Sequence, residues 1–183
     1  MIYRQMELHN VEELVQVEGR PGLLLQRVPE SVRDGLVELG RQQIRRAAGV
    51  EIRFSAPTGS ESSVTLASYG GTSKVQVFYG DYWVEDQELG EEPKTIAVKE
   101  PEPGFQFQSP WKEQVPRRSY GPVWRIVLQG FEVHLLDIRG EGLRPPEAKE
   151  KPAFTYLAYG TSITFGISAA TPDMTYVGQA AWR

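Results

Sequence analysis

The sequence predicts a mostly β protein: an antiparallel β-sandwich of the jelly-roll type, followed by the first strand, turn and helix of an α/β domain. Three observations predict this. Short segments alternate apolar and polar residues, glycine and proline turns separate them, and the pattern changes after a proline-rich segment near the C-terminus. Alternation with a period of two is typical of half-buried strands. Many short strands with frequent turn residues favour a sandwich or jelly roll.

The alternating segments follow residue 49. In VEIRFS, the apolar residues Val50, Ile52 and Phe54 fall on one face of a predicted strand. Comparable segments follow at short intervals: SVTLAS, KVQVFY, TIAV, FQF, VWRIVLQ and FEVHLLDI. Trp124 alternates with other apolar residues, so we expect its ring in the core.

One helix is predicted before these strands, from Pro29 to Gly40. A proline suits the first helical turn, where an N–H group has no partner in any case. Val32, Leu36 and Leu39 would form one apolar stripe, and a glycine is a common stop.

A proline-rich, charged segment divides the chain. RGEGLRPPEAKEKPAF contains two glycines and three prolines, which are unsuited to the interior of a sheet. We therefore predict a sandwich domain over residues 1–143, a linker over 144–152, and the start of a second domain over 153–183.

The segment after the linker has a different pattern. Ala153 to Tyr159 carries only apolar or uncharged residues, as does a strand buried on both faces of a parallel sheet. Gly160 would allow a tight turn that presents Ser162, and the segment TPDMTYVGQAAWR is predicted to begin a helix. Ligands bind at such strand ends in open α/β sheets.

The turn resembles a known motif. AYGTSITFG, from Ala158 to Gly166, is similar to the first conserved block of the GDSL or SGNH hydrolases, a family of α/β esterases and acyl hydrolases. The resemblance implies that Ser162 is the nucleophile and that its N–H helps to bind the oxyanion. Gly160 and Gly166 would be structural turn residues. The segments AAGVEIRFSAP and VQVFYGDYWV and the junction around the linker resemble members with an N-terminal jelly-roll domain.

The rest of that family's machinery is missing from the sequence. The oxyanion glycine and asparagine and the Asp-x-x-His of the family have no counterpart, and the only histidines are His9 and His134. A serine without a base is a weak nucleophile. We therefore expect this chain to be the N-terminal part of a serine esterase for a small-molecule or saccharide acyl ester, inactive on its own.

A second hypothesis is a carbohydrate-binding or protein-binding sandwich without catalysis. Tyr82 and Trp83 lie in the aromatic segment FYGDYWVED, and Trp111 lies beyond it. Exposed aromatic rings can stack on sugars, whereas buried rings would fill the core. The sequence leaves both alternatives open, so all three residues are candidates for ligand binding.

Composition narrows the partners. A net charge of −4 disfavours nucleic-acid binding, which needs a concentrated basic surface. The absence of cysteine excludes disulfides and thiolate metal sites, and we predict no metal and no cofactor. No apolar run is long enough to span a membrane. We expect a cytoplasmic protein, or a secreted one if a signal peptide was removed, and a homo-oligomer formed through the unpaired tail strand.

Overall fold

A computed structural model describes residues 1–99 and 120–181. The predictions made for FQF and for Trp111 lie outside these residues. The strands are β1 Ile2–Tyr3, β2 Met6–His9, β3 Glu13–Gln16, β4 Leu23–Gln26, β5 Val50–Phe54, β6 Glu61–Tyr69, β7 Ser73–Tyr79, β8 Tyr82–Leu89, β9 Lys94–Lys99, β10 Trp124–Gln129 and β11 Glu132–Gly140. The α-helices are α1 Glu30–Asp34, α2 Glu38–Gln43, α3 Ser162–Phe165 and α4 Tyr176–Ala181.

The strands form two antiparallel sheets. The six-stranded sheet has the order β1-β2-β5-β10-β7-β8, and the five-stranded sheet has the order β3-β4-β11-β6-β9. Strands that are far apart in the sequence pair in the sheets, since β10 lies between β5 and β7. The predicted mostly β, antiparallel sandwich is confirmed.

The core lies between the two sheets. Val50, Ile52 and Phe54 of β5 are fully buried, as the alternation predicts, and Trp124 is 3% exposed. These side chains belong to one continuous apolar cluster with residues of both sheets. Burying a large apolar side chain contributes about 1.5–3 kcal/mol, so this cluster is the main source of stability.

The helix predicted from Pro29 to Gly40 is wrong in part. Two short helices, α1 and α2, replace it, and Gly35 ends the first with its N–H bonded to the carbonyl of Val32 at 3.2 Å. The expected apolar stripe is not buried, since Val32 is 50% exposed and Leu39 is 66% exposed. A glycine after one turn removes too much helix propensity for a single helix.

The predicted α/β part is also wrong for the described chain. Residues 154–160 form no strand, and Phe154, Leu157 and Tyr159 are each more than 90% exposed. A strand needs a neighbour to bond its backbone groups, and no strand in the described ranges pairs with this segment. The predicted C-terminal helix does form, as α4.

None of the helices described is long and apolar enough to cross a bilayer.

Candidate functional site

Ser162 begins the four-residue helix α3 and is exposed to solvent. The preceding residue, Thr161, has an extended backbone, so the chain turns sharply into the helix. Gly166 ends the helix with a φ of 90°, and its N–H bonds to the carbonyls of Ser162 and Ile163 at 3.1 and 3.0 Å. The serine hydroxyl therefore lies on a single closed turn.

Close contacts restrict two positions of this turn to glycine. A Cβ atom at Gly160 would lie 2.0 Å from Oγ1 of Thr164, and a Cβ atom at Gly166 would lie 2.3 Å from both Nε2 of Gln129 and Cγ2 of Thr175. The positive φ of Gly166 is in addition strained for any other residue.

Side chains on the outer face of the six-stranded sheet hold the turn. In β7 and β10, alternate residues point away from the core, and these include Lys74, Gln76 and Gln129. The amide of Gln129 donates to the carbonyls of Phe165 and Gly166 at 2.8 and 3.0 Å. Lys74 donates to the carbonyl of Ala169 at 2.6 Å. The second half of the tail is thus bonded to the outer face of the six-stranded sheet.

Arg46 links the turn to the sandwich by a second route. Its guanidinium carbon lies 4.8 Å from the ring centre of Phe131 and 5.6 Å from that of Phe165. Arginine interacts favourably with aromatic faces at such distances. Since Phe165 is three residues after Ser162, Arg46 lies beside the helix that carries the serine.

A cavity of about 240 Å³ opens next to Arg46. It lies where the connections between β6 and β7 and between β10 and β11 meet the end of α2 and the segment after it. Its lining residues come from these places and the adjoining strand ends: Gln42, Gln43, Arg46, Tyr69, Gly70, Phe131 and Glu132.

A network of buried charges occupies another part of the same sheet face. Glu51 accepts hydrogen bonds from Arg53 at 2.7 Å and from Arg125 at 3.0 Å. Arg53 also donates to Glu7 at 3.0 Å, and Glu7 forms an ion pair with Lys151. The network therefore connects the predicted linker to the sheet.

The charges in this network are fixed by their partners. Burial would raise the pKa of Glu51, but Arg125 and Arg53 outweigh burial and lower it to about 2. In the linker, two hydrogen bonds from Arg144 at 2.7 Å lower the pKa of Glu150 to about 2. Burial and the nearby Glu51 raise the pKa of Tyr120 to about 12. These groups keep one charge state at neutral pH, which suits a structural role.

Neither histidine is placed to activate Ser162. His134 is fully buried in the five-stranded sheet, with Nδ1 3.2 Å from the carbonyl of Pro21. His9 lies opposite Glu51 in the six-stranded sheet. Burial lowers the pKa of both. Over residues 1–99 and 120–181, no side chain makes a hydrogen bond to the Ser162 hydroxyl.

The predicted aromatic candidates lie at a sheet edge. Trp83 is 56% exposed and Tyr82 is 38% exposed, both on β8. The indole N–H of Trp83 donates to Asp86 at 2.8 Å. The exposed ring is available to a ligand, but sugar binding stays a prediction, as does any role for Trp111.

No group of three or more histidine, aspartate or glutamate side chains in the described part of the chain could hold a metal ion.

Sequence reasoning missed the residues that hold the turn. Arg46 lies in a short basic stretch with Arg41 and Arg45 that carries no motif, and Gln129 ends a strand with no distinguishing pattern. A polar residue at an outward strand position could have indicated these contacts. Such residues on a covered face must find partners, and the tail backbone supplies them.

The fold and the turn together define a two-sheet β-sandwich that presents a serine at its C-terminal tail. No family model matches the chain, and no curated protein matches it. Among solved structures, the chain is similar to the salicylyl-acyltransferase SsfX3 from a tetracycline biosynthetic pathway, with a TM-score of 0.62 and 17% sequence identity. The match covers 97% of this chain and 48% of that one, so the chain spans about half the length of that structure.

These findings correct the predicted family. The predicted membership in the GDSL or SGNH hydrolases is wrong. No family model matches the chain, and the strand that the motif requires does not form between residues 154 and 160. The similar solved structure is described as an acyltransferase. At 17% identity, that likeness shows the fold alone.

Proposed function

We propose that this chain takes part in acyl transfer, with Ser162 as the residue that accepts the acyl group. The observation that carries the proposal is the placement of Ser162: an exposed hydroxyl on a glycine-restricted turn that the sandwich holds through Gln129 and Arg46. A rigidly positioned nucleophile is a general requirement of covalent catalysis. The fold of an acyltransferase adds support.

The proposed step starts from an ester or thioester donor. Oγ of Ser162 forms a bond to the acyl carbon while the bond from that carbon to the leaving oxygen or sulfur breaks. The proton from Oγ passes to a base, and the leaving group takes up a proton. A second hydroxyl compound, or water, then takes the acyl group from the serine, which regains its proton.

The described residues supply no base for this step. Loss of the base from a serine nucleophile costs several powers of ten in rate. Since the chain spans about half of the acyltransferase structure, we propose that the base comes from polypeptide outside residues 1–99 and 120–181. We expect the purified chain alone to turn over no small acyl ester.

Covalent labelling tests the serine itself. The chain would be isolated under non-denaturing conditions from the cells that produce it, so that bound polypeptides are retained, and treated with a fluorophosphonate. Mass spectrometry should find the adduct on the peptide that contains Ser162. The adduct should disappear in Ser162→Ala and persist in Ser168→Ala, a matched control because Ser168 is also exposed and lies in the adjoining turn.

An adduct on another residue, or none on Ser162, would contradict the proposal.

A further inference from the structure

We propose that the cavity beside Arg46 binds a small planar molecule with an anionic group, such as an aromatic carboxylate. Arg46 would bind the anion, and the aromatic walls would contact the ring. The inference rests on the proposed function only where it identifies this molecule as the compound that takes the acyl group from Ser162. Binding itself requires no chemistry at the serine.

The guanidinium of Arg46 has no carboxylate partner among the described residues. Arg46 is half-buried and forms no ion pair within these ranges. By contrast, its neighbour Arg45 lies 3.8 Å from Glu132, and Arg20 also pairs with that carboxylate. An arginine that is partly desolvated and lacks a carboxylate can bind one in a bidentate manner.

The walls of the cavity combine aromatic rings with amide groups. Tyr69 and Phe131 place aromatic side chains at the cavity, and Gln42 and Gln43 add amide groups. The ring of Phe131 lies so close to Gly71 that a Cβ atom there would be 2.5 Å away, so the wall is closely packed. A volume of about 240 Å³ accommodates one ring, since a cavity of about 150 Å³ can bind benzene.

The cavity lies close to the helix that carries Ser162. Arg46 lines the cavity, and its guanidinium carbon also lies 5.6 Å from the ring centre of Phe165. Phe165 and Ser162 are the last and first residues of α3. A molecule bound to Arg46 would therefore lie next to the turn that presents the serine.

Titration calorimetry of the whole chain with benzoate tests the site. We expect saturable binding that Arg46→Gln weakens by roughly tenfold or more, because a charge-assisted hydrogen-bond pair is lost. Arg139→Gln should bind as the wild type does, since it makes the same charge change at an exposed residue that pairs with Asp137. Benzamide should bind more weakly than benzoate because it lacks the charge, and acetate because it lacks the ring.

Further variants separate folding and catalysis from binding. Arg46→Lys keeps the charge without the planar fork, so it should bind with intermediate strength, and thermal unfolding would confirm that both Arg46 variants fold. Ser162→Ala should bind benzoate as the wild type does. Benzoate binding without a fluorophosphonate adduct on Ser162 would support this site and contradict the proposed function.

The converse result, an adduct on Ser162 without benzoate binding, would overturn only this site. Absence of benzoate binding, binding that Arg46→Gln leaves unchanged, or equal binding of benzamide or acetate would each contradict the inference.

Discussion

The two halves of the C-terminal tail differ in how they meet the sandwich. Residues 154–159 make no strand and leave Phe154, Leu157 and Tyr159 in solvent. The following half, from Phe165 to Asp173, is bonded to outward side chains of the six-stranded sheet. Both halves are rich in uncharged residues, so composition does not separate them. The difference lies in which backbone groups find partners.

The comparison shows what a sheet face can bind. An isolated strand exposes backbone groups on both sides, and only another strand satisfies them in register. A short turn exposes a few carbonyls at one point, and one amide such as Gln129 can satisfy two of them. The linker before the exposed segment is also held to this sheet face, by an ion pair between the side chains of Lys151 and Glu7.

The largest expected effect comes from disrupting the charge network on the outer face of the six-stranded sheet. Glu51→Gln removes the carboxylate that pairs with Arg53 and Arg125, and it leaves two largely buried arginines without full compensation. We expect the free energy of unfolding, measured by urea denaturation at neutral pH, to fall by about 3–5 kcal/mol.

The matched control is Glu61→Gln, at an exposed carboxylate 3.6 Å from Lys99. It should cost no more than about 1 kcal/mol. Equal small losses in both variants would show that the network does not stabilise the face.

A local effect should follow from Gly166→Ala. The new methyl group would meet Gln129 and Thr175, and the backbone at a φ of 90° would be strained. We expect about 1–3 kcal/mol of lost protection for amides of residues 165–175, measured by hydrogen exchange. Residues 154–159 should exchange as they do in the wild type.

Gly19→Ala provides the comparison for strain alone, because Gly19 has a φ of 73° and no atom beyond its chain neighbours lies within 4 Å of the added methyl. It should leave exchange in the tail unchanged. If it altered the tail as strongly as Gly166→Ala, the contacts with Gln129 would not be what holds the turn.

The smallest effect is expected in the exposed half. Leu157 is 92% exposed, so Leu157→Ser should change the free energy of unfolding by no more than about 0.5 kcal/mol. Leu66→Ser, at a fully buried position, should destabilise the same protein strongly in the same urea experiment. A large loss in Leu157→Ser would mean that this segment is packed after all.

Self-association through the exposed half stays a prediction. Sedimentation velocity would detect it as a species heavier than one chain that Leu157→Ser reduces.

The sandwich was predictable because each strand carries its own evidence. Val50, Ile52 and Phe54 alternate with polar residues, and the period of two shows which face is buried. The segment from Ala153 to Tyr159 was mispredicted because its apolar run indicates a buried strand only where partner strands exist. Pattern within one segment says nothing about its neighbours in space.

The site was predictable only at its tip. Glycines around Ser162 indicate a turn, but the contacts of Arg46 and Gln129 join residues far apart in the sequence. The pairing of Arg53 and Arg125 with Glu51 likewise depends on strand order, with β10 beside β5. Such order follows from the global topology and not from local periodicity.

The most direct test of the account is the rate at which a fluorophosphonate labels Ser162 in the natively isolated protein, compared between the wild type and Gln129→Ala. We predict an adduct on Ser162 in the wild type and slower labelling of the same residue in Gln129→Ala, because the sandwich holds the turn in its reactive position. Absence of the adduct in the wild type, or equal rates in the two proteins, would contradict the claim that the sandwich presents a reactive serine.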